Sequence, residues 1–410
     1  MNNNQKIPEG WSVKRLGELA NHVKYGIVDG PFGSNLKTEH YRNSGIPVIQ
    51  SGFVTSQRFY AEKYLYVDDD LFQREKRSAT HGNDIIMAKI GAHAGTSAIL
   101  PENHPESILA GNCLKITINP MLANNRFVLL TLHTKYDKDA FIDIKSTTAQ
   151  PAISMENLKK LKVLLPPLPE QEKIAEILGT WDEAIEKLSN LIEQKKLLKK
   201  GLMQKLLTGK TRLFGFSQPW KEVKLGAVLE AISRRNKKLN ISRVLSVTNS
   251  RGFILPEEQF SRVVASEDLS NYKVVKNGEF AYNPSRLNVG SIDRLDNFTD
   301  GILSPMYVIF KCNEKLSSNY MKHWITTTEF NTKVRNSAQG SVRETVDFKT
   351  LSSIKINLPS DISEQQAIAD VLSTADDEIN LLNQKLEALK KQKKGLMQQL
   401  LTGQIRVKVN

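Results

Sequence analysis

A chain of 410 residues, with 57 Lys and Arg against 44 Asp and Glu, a net charge of +13 and 40% hydrophobic residues, has ordinary globular composition with a basic bias. That length suggests two or three domains, each able to bury its own core, and the charge favours a polyanionic partner. Two isolated cysteines, Cys113 and Cys312, exclude a disulfide framework or a CxxC zinc site and suit a reducing, cytoplasmic compartment; the opening residues lack a signal peptide's apolar stretch, and no run approaches the ~18 apolar residues of a membrane span.

Residues 12–165 lack sustained helical periodicity over most of their length. Short β-branched runs such as 46–49, 84–90 and 114–118, bounded by Gly, Asn, Pro and Asp, predict the strands of a mixed α/β domain. DGPFGSNLKTEHY (29–41) and QREKRSATHG (73–82) read as loops. Lys37, Arg74, Lys76, Arg77 and Lys89 are the candidate nucleic-acid contacts of this segment, because Arg, Lys and Asn bridge phosphates and read purine edges. Each of them, taken singly, is better explained as a solvated loop charge.

Pro166, Pro167 and Pro169 then lead a long helix. Ile174, Leu178, Trp181, Ile185, Leu188, Ile192, Lys195, Lys199, Leu202 and Leu206 follow in alternating steps of four and three, the spacing of a coiled-coil seam. The seam is polar at Lys195 and Lys199, and Thr208-Gly209 supplies a stop signal.

Residues 221–357 repeat the strand-rich pattern, with runs at 244–247, 279–282 and 306–310. The loops SRRNKKLNISR, TNSRGF and YNPSRLNVGSI carry the second set of candidate nucleic-acid contacts, Arg235, Lys237, Arg251, Arg286 and Asn288. After Pro359 a second long helix runs through Ile368, Leu372, Ala375, Ile379, Leu382, Leu386, Leu389, Lys393, Leu396 and Leu400 to Thr402-Gly403, broken only by Lys393. Each helix spans about 33 to 38 residues, roughly 50 to 57 Å. The lysine clusters 195–200 and 390–394 fall near the C-terminal ends, where the helix dipole favours cations.

The two helices are copies. Residues 170–212 match 364–406 without a gap at an offset of 194, with GLMQKLLTG answering GLMQQLLTG. Trp11, Leu16 and Gly17 match Trp220, Leu225 and Gly226 at an offset of 209, so the second half is 15 residues shorter (209 − 194). A seam this long requires a partner helix. Either each helix lies on its own domain, or the duplicated pair joins as an antiparallel coiled coil, as a self-complementary dimer would. The second reading predicts two α/β domains held apart by a two-helix spacer, with boundaries at 1–165, 166–212, 213–358 and 359–410.

No catalytic motif survives inspection. Gly209-Lys210-Thr211 imitates the end of a phosphate-binding loop, but Gln204 stands where its glycine is needed, so it is a helix cap. Tyr282-Asn283-Pro284-Ser285 lacks the second proline and terminal aromatic of a base-holding methyltransferase loop, and reads as a turn. The seven histidines show no metal-ligand spacing.

LPPLPEQEKIAEIL (165–178), its partner SEQQAIADVL (363–372), the two GLMQ segments, and the stretches GPFGSNLK, NDIIMAKIG, YNPSRLNVGSI and LSPMYVIF together resemble the specificity subunit of type I restriction-modification systems over essentially the full chain. The resemblance implies two target recognition domains that bind a bipartite, asymmetric site in double-stranded DNA. It further implies no catalytic residue, metal or cofactor in this chain; two methyltransferase subunits bringing S-adenosylmethionine; and translocating nuclease subunits using ATP with Mg for cleavage. A DNA-binding scaffold working without a methyltransferase, and a chain with methyltransferase activity of its own, are the alternatives.

Overall fold

The computed structural model describes residues 7–20, 25–137, 141, 144–145, 151–258, 268–338 and 345–409. The chain divides into two compact units, residues 1–188 with 385–410, and residues 189–384.

The first unit runs β1 (Ser12–Arg15), α1 (Leu16–Leu19), β2 (Ile27–Asp29), β3 (Ile46–Ile49), β4 (Leu65–Val67), α2 (Asp69–Arg74), β5 (Ala79–Thr80), β6 (Ile85–Ala88), β7 (Ser97–Ile99), β8 (Ser107–Leu109), β9 (Cys113–Ile116), α3 (Asn125–Asp137), α4 (Met155–Lys160) and β10 (Lys162–Leu165) before entering α5 (Leu168–Leu206). One antiparallel sheet has the order β2-β9-β6-β7; a second has the order β4-β3-β8-β5, with β3 and β8 parallel; β1 and β10 form a separate ribbon. Strand β6 explains its own sequence. Ile85 and Met87 face one core with Phe127 of α3, and Ile86 and Ala88 face another with Ile49 and Leu109. Both faces are buried, so the strand is an unbroken apolar run rather than an alternating one.

The second unit repeats part of this plan with β11 (Trp220–Lys224), β12 (Leu229–Ile232), β13 (Ser246–Thr248), β14 (Gly252–Ile254), β15 (Lys273–Lys276), β16 (Phe280–Tyr282), β17 (Ile292–Arg294), β18 (Asp300–Leu303), β19 (Val308–Cys312), α6 (Ser318–Trp324), α7 (Thr328–Ala338), α8 (Phe348–Ser353), β20 (Lys355–Pro359) and α9 (Ile362–Leu400). In place of the second sheet the unit has two-stranded ribbons, β13-β14 and β15-β18. Its sheet β12-β19-β16-β17 has the same order and strand directions as the first unit's β2-β9-β6-β7. Phe280 and Tyr282 of β16 again face one core and Ala281 another. The predicted runs at 46–49, 84–90, 114–118, 244–247, 279–282 and 306–310 all carry strand. QREKRSATHG, read as a loop, instead holds the end of α2, a 3-10 turn (Lys76–Ser78) and β5. Asp68 makes the difference: its side chain accepts from Leu71 N at 3.0 Å, and Asp69 and Asp70 occupy the positive end of the helix.

Helices α5 and α9 each have 39 residues, somewhat more than expected, since both continue upstream of the first seam residue. They pack together as an antiparallel pair within each unit. In the first, Lys393 of α9 meets Asp182 of α5 at 2.6 Å. In the second, Lys199 and Lys195 of α5 meet Asp376 and Glu378 of α9 at 2.5 and 2.6 Å. Every seam position is buried or half-buried, including Ile174, Leu178, Trp181, Ile185, Leu188, Ile368, Leu372, Ile379, Leu382 and Leu386. The seam lysines do more than answer the helix dipole. Each has a carboxylate on the opposite helix.

Where each domain joins its helices, the Glu-Gln pair of the duplicated sequence forms the same joint twice. Glu170 accepts from Arg406 Nε and Nη2 at 2.7 and 2.8 Å and from Trp11 Nε1 at 3.1 Å, while the Arg406 guanidinium stacks 5.6 Å from the Trp11 ring. Glu364 accepts from Arg212 at 2.5 and 2.7 Å and from Trp220 Nε1 at 3.4 Å, with Arg212 over Trp220. The neighbouring glutamines are fully spent on backbone. Gln171 accepts from Asn124 N at 2.9 Å and donates to Pro166 O at 2.8 Å. Gln365 accepts from Ser317 N at 2.9 Å and donates to Pro359 O at 3.0 Å.

Candidate nucleic-acid interface

In the first unit the structure gathers part of the predicted set. Lys89 Nζ lies 2.6 Å from Asp29 Oδ2 and Arg77 lies 3.8 Å from the other oxygen, so both bases share one carboxylate. The Lys89 ammonium also sits 4.2 Å above the exposed Phe32 ring. With its side chain only 14% exposed, Lys89 is a strut under the Asp29–Phe32 loop. Arg74 and Lys76 remain on the surface beside it, and Lys76 reaches over Phe72. Lys37 stands apart, paired with Glu39 at 3.8 Å on an exposed turn.

In the second unit two groups form. Arg235 Nη1 donates to Asn271 O at 2.6 Å and Lys237 Nζ to Asn271 Oδ1 at 3.0 Å, so these side chains converge on one residue. Lys273 next to them has its pKa lowered by burial and then by Arg235. The second group surrounds a hollow of about 260 Å³ between the β13–β14 turn and the β16–β17 hairpin, walled by Thr248, Asn249, Asn283, Arg286 and Ser291 among others. Of the predicted residues, Arg286 lines it; Arg251 adjoins it through its N–H to Thr248 Oγ1 at 3.1 Å, and Asn288 belongs to the same hairpin.

Two glycines permit the hollow's shape. Gly252 has φ +61°, and a Cβ there would lie 1.7 Å from Asp293 Oδ2; Gly290 has φ +90° and ends the turn that carries Asn288. Thr248, Asn249 and Asn283 were absent from the sequence-derived set although TNSRGF and YNPSRLNVGSI had both been marked. The missing signal was spatial, since 34 residues separate Asn249 from Asn283.

Among the described residues no group of three or more His, Cys, Asp and Glu side chains is placed to hold a metal, and no helix is long and apolar enough to cross a membrane. The first unit also contains a cleft of about 740 Å³ beside α3 and α5, where Arg58 meets Glu186 at 3.2 Å and Arg126 meets Asp182 at 3.7 Å. Each Arg and Lys of its lining is paired with a lining carboxylate. Both cysteines are free, and burial drives the thiols up, Cys312 to about 12, so neither is a ready nucleophile.

Two diverged α/β units thus each carry basic and amide-bearing loops, and both α5 and α9 contribute to each unit. The sequence model for the type I restriction modification DNA specificity domain matches residues 8–194 and 304–391, and the chain belongs to that family. It is 28% identical over 98% of its length, and 95% of the relative's, to the Methanocaldococcus jannaschii protein named as the MjaX type I restriction enzyme specificity subunit. To the MjaVIII specificity subunit of the same organism it is 25% identical with the same coverage. The fold matches the S subunit of the type I restriction-modification system of M. genitalium with a TM-score of 0.60 at 15% identity, covering 98% of this chain and 97% of that one.

Proposed function

We propose that the chain is the sequence-reading subunit of a type I restriction-modification complex, acts in the cytoplasm, and has no catalytic centre of its own. Each unit reads one half of a bipartite site in double-stranded DNA, and α5 with α9 is the spacer. The observation that carries this reading is the combination of a repeated frame with unrepeated loops: the sheet order and the Glu-Gln joint recur, whereas Asp29 with Arg77 and Lys89 has no equal in the hollow beside Arg286. Diverged loops on a duplicated frame call for two unlike half-sites.

Basic loop residues supply most of the affinity and a steep salt dependence, and a few Arg and Asn contacts supply specificity of ~1 to 3 kcal/mol each. Two methyltransferase subunits dock on the outer faces of the helices, where Leu191, Leu197, Leu198 and Leu381 are exposed, and bring S-adenosylmethionine; ATP and Mg belong to the nuclease subunits. Genome-wide mapping of modified bases with and without the gene tests the reading, since a bipartite methylated motif should vanish on deletion. Inserting four residues into α5 adds ~6 Å, which lengthens the motif's spacer by one or two base pairs at ~3.4 Å per step. Unchanged spacing refutes the spacer role; a chain that never co-purifies with a methyltransferase refutes the complex.

A further inference from the structure

The hollow in the second unit has a chemistry more specific than positive charge. Most of its polar groups are already committed to the frame. Ser291 Oγ donates to Val247 O at 2.6 Å, and Thr248 Oγ1 accepts from Arg251 N at 3.1 Å while donating to Gly252 O at 3.2 Å. Asn283 Oδ1 accepts from Ser285 N at 3.0 Å. Two side chains on its walls, Arg286 and Asn249, are exposed and have no side-chain hydrogen bond or ion pair among the described residues.

We propose that this hollow receives the major-groove edge of a guanine in the half-site read by the second unit, with Arg286 as the residue that selects it. The proposal rests on the DNA-reading role above and adds to it a base and a residue. An arginine fork with five donors and no acceptor matches the paired O6 and N7 acceptors of guanine, whereas adenine offers an acceptor beside a donor.

A phosphate would satisfy the same fork, but the surroundings favour a base. Val289 and Met306, 57% and 58% exposed, flank the hollow with apolar surface; Val289 lines it, and Met306 Sδ lies 3.9 Å from Asn283 Nδ2. A phosphate seat is built of donors, while apolar side chains suit the thymine methyl groups that line the major groove beside a base edge. The main chain that carries the fork is also fixed. Arg286 N–H donates to Asn283 O at 2.9 Å, and its carbonyl accepts from Val289 N at 3.2 Å and Ser291 N at 3.1 Å. A backbone fixed on both sides lowers the ordering cost of binding.

The test selects duplexes from a randomised pool with the full-length chain and with R286A and R286K. Arg286→Lys keeps the charge and removes the fork, so it remains informative if the alanine variant folds poorly. We expect both variants to lose a guanine preference of about tenfold or more at one position of one half-site, all other positions being retained. An unchanged preference, or an affinity that falls equally for every sequence as a phosphate contact would give, overturns the proposal. A wild-type chain that selects no sequence, alone or with a co-expressed methyltransferase, removes instead the DNA-reading role on which the proposal stands.

Discussion

Lys393 Nζ and Asp182 Oδ1 lie 2.6 Å apart across the helix pair, and the residues displaced from them by 194 positions, Lys199 and Asp376, meet at 2.5 Å. Each pair is approached by a further basic side chain from its own recognition domain: the Arg126 guanidinium lies 3.7 Å from Asp182, and the His323 ring, uncharged at neutral pH, lies 3.8 Å from Asp376. The carboxylate is thus the point at which spacer and domain meet. Asp182→Ala strands a Lys393 ammonium that is only 16% exposed, and should cost about 1 to 3 kcal/mol in urea denaturation. Lys393→Met should cost less, because Arg126 remains with Asp182. The double variant should recover much of the loss, and simple additivity would show that the two side chains are uncoupled.

The two glutamate joints should rank in a fixed order. Glu364 is fully buried with an Arg212 side chain 28% exposed, while Glu170 has an Arg406 side chain 43% exposed. Removing the arginine leaves a buried carboxylate unpaired. Arg212→Ala should therefore lower the thermal midpoint more than Arg406→Ala. Equal or reversed losses would contradict the assigned burial.

Acid should loosen the second unit through His323. Burial first, then Lys199, brings its pKa down to about 4 from an ordinary value of 6.5, against the opposing pull of Asp376, and its Nε2 lies 3.0 Å from Ser373 Oγ. With a lowered folded-state value, the unfolded chain binds the proton first. The stabilising difference is complete above pH 6.5 and is lost as the pH falls toward 4. His323→Asn should flatten the pH dependence of the unfolding midpoint over that window by about one proton's worth of slope, read from urea titrations at several pH values.

On the DNA-reading role proposed above, Lys237 and Arg235, both drawn to Asn271, would contact phosphates rather than base edges. Their replacement by alanine should weaken binding of every duplex to a similar degree. The slope of log affinity against log salt should fall by ~0.9 for each phosphate contact removed. A selective loss at one base would reassign them.

The large elements were legible because they are periodic. The seam from Ile174 to Leu206 and its copy from Ile368 to Leu400 announced two long helices, and the buried strand β6 was visible as an apolar run. Lys199 and Lys393 read as defects in that pattern because their partners stand 177 and 211 residues away. No local spacing encodes such a meeting. Lys89 illustrates the converse difficulty. Its charge marked it as a surface contact, yet Asp29, 60 residues earlier, holds it half inside the fold. In the hollow, Arg286 was visible as a cation in a loop, but that its fork remains unspent depends on which neighbours the folded hairpin satisfies.

The hollow's walls are tied together by main-chain bonds and by Ser291 and Thr248, none of which uses the Arg286 or Asn249 side chain. Those two positions behave like movable type in a fixed forme. A lineage could reset what it reads by exchanging one or two letters there, without recasting the sheet, the joints or the rods, and so acquire a new address on DNA in a single generation.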